Sequence, residues 1–281
     1  MPLTNMKTIL KSAVKENFAV GSFSIANMEM IIGSIKAAEE LNSPIIMQIA
    51  EVRLKHSPLE LIGSMMIKAA ENSKVPVAVH FDHGLTIENI RKALDLGFTS
   101  VMIDGSHLSL EENIKITNKV KDIATSYNAS VEAEIGQVGG SEDGSKDINI
   151  KVTNVENAVR FFNETKVDAL AVAVGNAHGI YKGEPKLRFD ILDKLKSSLE
   201  VPLVLHGGSG ISENDFRRCA TMGIKKINIA TATFNSVKES VKNLNDELDD
   251  YDYFKLHQAE IDGAYKNIRK HIEIFGSINK A

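Results

Sequence analysis

The chain has 281 residues, 43% of them hydrophobic and 25% charged, with a net charge of −4. That length holds one large α/β domain or two small ones, and the composition is ordinary for a globular protein. The slightly acidic balance excludes broad attraction to nucleic acid or to an anionic membrane, so any phosphate must be held by a local site.

In chain order, the start "MPLTNMKTILKSAVKEN" lacks a long apolar stretch with a cleavage site, so no signal peptide is expected. Strand-like apolar runs follow: "FAVGSFSI" at 18–25, "PIIMQIA" at 44–50, "VPVAVHFD" at 75–82 and "TSVMID" at 99–104. They continue with "SVEAEIG" at 130–136, "DALAVAV" at 168–174, "VPLVLHG" at 201–207 and "IKKINIA" at 224–230. Between them lie stretches of 3.6-residue periodicity such as "NMEMIIGSIKAAEELN", "TIENIRKALDLG" and "LEENIKITNKVKDIATSY". About eight βα units at this length predict a single-domain (β/α)8 TIM barrel over 1–281. A doubly wound open sheet usually has fewer strands and a Gly-rich turn after the first, which "GSFSIANME" is not. Two segments break the rhythm. Residues 136–152, "GQVGGSEDGSKDINIKV", read as a mobile loop over the active-site face. Residues 232–281 read as a charged helical extension, with "NDELDDYDYF" as an acidic hinge, packed on the barrel or on a partner subunit. No run of about 18 apolar residues occurs, so no membrane span is expected. Cys219, a lone cysteine read as a packed helix thiol, excludes an intrachain disulfide and suits the cytoplasm.

Three histidines end separate apolar runs: His83, His178 and His206. Strand C-termini of such barrels form the active-site face, and three imidazoles with one open position is the pattern of catalytic zinc. A lone histidine there would read as a satisfied buried residue; three at equivalent places do not. Asp82 sits beside His83, as an acid or base or as an acceptor that orients a histidine. His80 should point along the same side of its strand, as interior packing rather than as a ligand. Glu132 and Glu134 share a face and, with Asp104, could hold a second or alternative metal position. The run Gly207, Gly208, Ser209 lets backbone amides approach an anion, and Asn228, Ile229, Ala230 and Thr231 place more amides at a helix start.

The segments "HFDHG", "SVMIDGS", "VEAEIGQVGGSEDG", "AVGNAHGIY", "VLHGGSGIS" and "KINIAT" resemble, in that order, the class II ketose-bisphosphate aldolases, from about residue 4 to 277. The resemblance implies a cytoplasmic lyase of carbohydrate metabolism that reversibly cleaves fructose or tagatose 1,6-bisphosphate, or a related ketose 1-phosphate. It implies Zn²⁺ on His83, His178 and His206, polarising the ketose carbonyl and stabilising the enediolate of dihydroxyacetone phosphate. Asp104 and Glu134 would hold zinc in an outward position. Asp82 would pass the proton at the aldehyde oxygen, and Glu142, in the long loop, would be the base for the carbon-bound proton. Gly179, Gly207 to Ser209 and Asn228 to Thr231 match the contacts to dihydroxyacetone phosphate. A monovalent cation, Na⁺ or K⁺, and a homodimer or homotetramer are also implied.

The chain departs from that pattern. Ser24 stands where the family usually has Asn, Ala50 where it has Ser, and Phe254 where it has an Arg reaching the far phosphate. Arg53 and Lys55 could substitute, since Arg offers phosphate a bidentate fork; otherwise both are solvated side chains. The dihydroxyacetone phosphate half is therefore expected to be retained, and the aldehyde half to differ from glyceraldehyde 3-phosphate. Two other functions compete. A Schiff-base aldolase needs a buried lysine, and strand six has none, while Lys225 and Lys226 stand at the wrong end of strand eight. A catalytically silent, aldolase-like binding or partner subunit would not need the ligands and acid/base residues that this chain keeps.

Overall fold

The computed structural model describes residues 2–140, 151–179, 181, 183, 185–245 and 252–281. Eight parallel strands close into one barrel in sequence order: β1 Val20–Ser24, β2 Ile45–Ala50, β3 Val77–Gly84, β4 Ser100–Ile103, β5 Ser130–Ile135, β6 Ala169–Val172, β7 Leu203–Leu205 and β8 Ile224–Ile229. Every expected strand is present; most are shorter than their apolar runs, while β3 keeps its length and runs on to Gly84. Helices α2 Met28–Glu40, α3 Leu59–Asn72, α4 Ile87–Asp95, α5 Leu110–Thr125, α6 Val155–Thr165, α7 Phe189–Ser198, α8 Glu213–Thr221 and α9 Thr231–Asn245 follow the strands in turn. Their starts are written locally: Asn27, Thr86, Ser109, Asn154 and Ser212 each accept a backbone N–H from the first turn with the side chain.

Alternation along the strands separates two apolar regions. Outward residues such as Val77, Val79, Phe81, Ile227 and Ile229 pack under the helices in one large cluster. Inward residues Val20, Ile46, Ala78, Met102, Ala169, Ala171 and Val204 form a smaller one at the lower end of the barrel. There a helix that the sequence reading did not assign, α1 Met6–Glu16, closes the bottom with Met6, Ile9, Leu10 and Ala13.

Two irregularities place the site. In β3, His80 pairs with Ser100 and Phe81 with Val101, but Gly84 pairs with Ile103, so β3 carries one extra residue. His83 takes it up with φ 43°, in the left-handed region. Strict alternation would send His83 outward; the bulge turns it to the same mouth as Asp82. Gly84 is needed beside it, since a Cβ there would stand 2.4 Å from the Met102 carbonyl oxygen. In β8, Leu203 pairs with Ile224 and Val204 with Lys226, so Lys225 is the extra residue and Lys226 turns inward.

The expected extension over 232–281 is made of α9 and of α10, Tyr253–Phe275, which packs chiefly on α9 and α2. Most of its acidic hinge lies outside the described residues. His271 of α10 is buried among Phe23, Phe216 and Phe275, with Nδ1 2.8 Å from the Asn267 carbonyl oxygen. Burial lowers its pKa to about 4. An unfolded histidine titrates near 6.5, so below that pH the unfolded chain binds the extra proton and stability falls as pH falls toward 4. Acidifying from pH 7.5 to 5 should cost about 2 kcal/mol through this group alone. Urea unfolding of the wild type and of His271→Phe at both pH values should show the variant losing less by that amount.

Candidate active site

The upper half of the barrel interior is polar, and its side chains form one chain of hydrogen bonds. It starts in β1 and β2, where Ser22 donates to Gln48 Oε1, and Gln48 Nε2 reaches Ser24 Oγ at 3.2 Å and Asp82 Oδ2 at 2.9 Å. Asn228 Nδ2 donates to both Asp82 oxygens, at 3.1 and 3.3 Å. Lys226 Nζ contacts Asn228 Oδ1 at 2.7 Å and Glu132 Oε2 at 2.9 Å. Glu132 Oε1 then meets His206 Nε2 at 2.8 Å, and His206 Nδ1 meets His83 Nε2 at 2.8 Å. His83 Nδ1 ends the chain on Asp104 Oδ2 at 2.9 Å.

His83, His178 and His206 offer ring nitrogens that all lie within 4.8 Å of one another. Imidazole nitrogens on one tetrahedral Zn²⁺ stand about 3.3 Å apart, so modest rotations would suffice. The hydrogen bonds fit such an ion. Asp104 and Glu132 each occupy one nitrogen of His83 and His206, and the remaining two nitrogens face each other. A proton or a cation must lie between two opposed lone pairs. His178 Nε2 is buried with no hydrogen-bond partner among the described residues, a cost that a ligand bond would remove. Burial, then the neighbouring His83, lowers the His178 pKa to about 4, and burial holds His206 well below its usual value. Both are thus neutral, the ligand form.

A second group, His83, Asp104 and Glu134, also brings its ligand atoms within 4.8 Å. Burial, followed by the charge of Asp104, raises Glu134 to about 8. Burial pushes Asp104 up as well, but the hydrogen bond and charge of His83 outweigh it and hold that carboxyl low. His80, expected as interior packing, is fully buried with Nδ1 2.9 Å from Ser100 Oγ. A third group, His80, Asp82 and Glu132, lies lower in the barrel, where Lys226 already supplies a cation.

Two clefts flank the histidines and share His178. One is lined by Arg53, Gly179, Gly207, Gly208, Ser209, Asn228, Ala230 and Thr231. Gly207 has φ 64°, and a Cβ there would stand 2.2 Å from the Ala177 carbonyl oxygen. Ser209 Oγ accepts the Ala232 N–H at 3.0 Å, joining this loop to the first turn of α9. Successive amides, a helix start and the guanidinium of Arg53 make a cradle for an anion. Ile229 turns its side chain into the outer core and can offer only backbone. The other cleft is lined by Val52, His83, Leu85, Asp104, Ser106, His107, Glu134, Gln137, Val138, Gly140 and His178, with no lysine or arginine among them.

Arg53, in a turn of 3-10 helix after β2, thus stands in the anion cradle, whereas Lys55 is exposed and lines neither cleft. Ala50 ends β2 beside Asp82 and is buried; Phe254 is 73% exposed. Glu142 lies outside the described residues, as does most of the loop expected over 136–152, whose stem is closed by Gln137 and Lys151 pairing through both backbone bonds.

A family model for class II fructose-bisphosphate aldolase matches residues 4–280. The chain belongs to that family. It is therefore a class II aldolase, a carbon–carbon lyase. It is 39% identical to a sulfofructosephosphate aldolase of Alkalicoccus urumqiensis, covering 98% of this chain and 97% of the relative. It is 37% identical to a 6-phospho-5-dehydro-2-deoxy-D-gluconate aldolase of Halalkalibacterium halodurans, covering 100% and 99%. Among solved structures, the YdjI aldolase from Escherichia coli K12 superposes with a TM-score of 0.89 at 32% identity, covering 99% of each chain. No helix among the described residues is long and apolar enough to cross a membrane.

Sequence reasoning set Lys226 aside as standing at the wrong end of strand eight, whereas it is buried in the polar layer, and it passed over Gln48. The signal was present: Lys226 shares the parity of Asn228, so an inward Asn228 implies an inward Lys226. If an ion sits on the three histidines, a chelator should abolish activity while the far-UV circular dichroism stays unchanged, because the apolar layers under the helices and at the barrel floor hold the fold. His178→Ala should retain that fold and weaken metal binding by about 10²-fold or more, read by competition with a chromogenic chelator.

Proposed function

We propose that this aldolase is zinc-dependent and reversibly cleaves a ketose 1-phosphate to dihydroxyacetone phosphate and an aldehyde. The observation that carries the reading is the convergence of two buried imidazoles, His83 and His206, and the half-buried His178 beside a glycine-lined cleft, with His178 Nε2 enclosed and without a hydrogen-bond partner among the described residues. His83, His178 and His206 would hold Zn²⁺, with Asp104 and Glu134 as a nearby alternative set. Bound there, the ion supplies Lewis acidity at the ketose carbonyl.

The chain's own residues do the rest. The amides of Gly179, Gly207, Gly208 and Ser209, with Ala230, Thr231 and the guanidinium of Arg53, grip the triose phosphate. That grip fixes the reacting carbons over Asp82 and the histidines. Asp82, held by Gln48 and Asn228, takes the proton from the carbon 4 hydroxyl in cleavage and returns it to the aldehyde oxygen in condensation. Glu142 is assigned to the proton on the triose carbon by resemblance alone. The buried walls keep water from that carbanion-like centre. A monovalent cation beside the cradle, a homodimer or homotetramer and a cytoplasmic location belong to the same reading. A silent partner subunit finds no support, since the acid/base carboxylate and every ligand described are in place.

The aldehyde half is the open variable. Ala50 and Phe254 replace the usual contacts to a second phosphate, and Arg53 stands at the cradle. Two relatives bear the names of a sulfofructosephosphate and a gluconate substrate, which supports a non-phosphate end, although fructose-bisphosphate aldolases match at 36% identity. Fructose 1-phosphate and fructose 1,6-bisphosphate should therefore be cleaved with kcat/KM values within about tenfold. A preference for the bisphosphate beyond that, about 1.4 kcal/mol, would overturn the substrate reading. Asp82→Ala should keep its metal and lose about 10²-fold or more in turnover. Glu142→Ala should chiefly slow solvent exchange of the triose carbon proton, followed by NMR in deuterated buffer.

A further inference from the structure

Lys226 is the feature of the barrel interior that the reaction outlined above leaves unused. It is fully buried, at the level of the polar layer, and its ammonium touches Glu132 Oε2 at 2.9 Å and Asn228 Oδ1 at 2.7 Å. Among the described residues it is the one lysine or arginine whose side chain is completely enclosed. It points inward because β8 carries Lys225 as an extra residue, whose own ammonium goes instead to Asn17 Oδ1 and the Ala220 carbonyl oxygen. A strand irregularity thus turns a cation into the barrel beneath Asp82.

We propose that Lys226 is a positioning residue for Asp82, acting by fixing which way the Asn228 amide faces. An ammonium has only donors, so it can contact only the oxygen of that amide. With Oδ1 turned to Lys226, Nδ2 is forced toward the carboxylate, where it donates to both Asp82 oxygens. Gln48 Nε2 donates to Oδ2 from the other side. The carboxylate is then clamped between two amide donors. Without Lys226 the amide is free to turn over, and an oxygen would be set against a carboxylate. The second contact of Lys226 explains why the lysine stays there: it balances Glu132, which in turn holds His206 Nε2. The inference rests on the reading of Asp82 as the group serving the aldehyde oxygen.

The test separates the two arms of the lysine. Lys226→Met alone leaves Glu132 without its cation, so the informative chain is Lys226→Met combined with Glu132→Gln, with Glu132→Gln alone as the control. The glutamine keeps an oxygen for His206 and carries no charge. The full-length, zinc-loaded double variant should hold as much metal as the control. It should exchange the carbon-bound proton of dihydroxyacetone phosphate at within about threefold of the control, because that step does not use Asp82. Its kcat for ketose 1-phosphate cleavage should fall by about 10²-fold with little change in KM, the size expected when a reacting group is misplaced by about 1 Å. In its crystal structure Asn228 should no longer donate to Asp82. Cleavage and exchange falling together, cleavage recovering to within about threefold of the control, or an unmoved Asn228 would each overturn the inference. If the wild type cleaves no ketose phosphate at all, the substrate reading fails instead, and the orientation of Asn228 in the variant still decides the role of Lys226.

Discussion

Asp82, Glu132 and Glu134 lie inside a barrel with almost no access to water, and the cost of burying them shapes the whole upper half of the interior. An unpaired carboxylate there would neutralise itself or unfold the protein. The chain meets this in three ways. Lys226 sits against Glu132, the amides of Gln48 and Asn228 bracket Asp82, and Glu134 gives up its charge at neutral pH. The first of these also orients a histidine, because Glu132 holds His206 Nε2 and leaves its Nδ1 facing His83 Nε2. Pairing the Glu132 charge and orienting His206 are one act of folding.

This layout explains why the barrel is split by height. Small and apolar residues fill its lower end against α1, where no chemistry is needed. Above them, most inward side chains are polar and hydrogen-bonded to their neighbours, with Ala50 beside Asp82 as an apolar exception. A substitution in the lower layer changes packing. A substitution in the upper layer changes the orientation of groups two or three bonds away, since the contacts run unbroken from Ser22 to Asp104.

Most of this was legible in the amino-acid order. Apolar runs that alternate with periodic helices spell the barrel, and the three histidines mark its active rim because each ends such a run. That Gly207 to Ser209 and Ala230 to Thr231 line one cleft was legible from glycines followed by a helix start. Three things were not. Helix α1 hides because its apolar face, Met6, Ile9, Leu10 and Ala13, matches an ordinary surface helix until the barrel floor is known. The bulge in β3 has no local sequence mark beyond Gly84, so the joint inward placement of Asp82 and His83 contradicts simple alternation. The placement of Arg53 in the cradle, with Lys55 outside it, depends on a single short turn after β2. Periodicity locates elements; it does not aim the side chains of irregular turns.

The plug formed by α1 has a consequence for how the chain is made. The helix precedes every strand in chain order, yet its seat is assembled from strands that run on through β7 and β8. All eight strands must emerge before that apolar face can be covered. Until then it travels as an amphipathic segment with nowhere to dock, and closure of the barrel and seating of its stopper become a single late event.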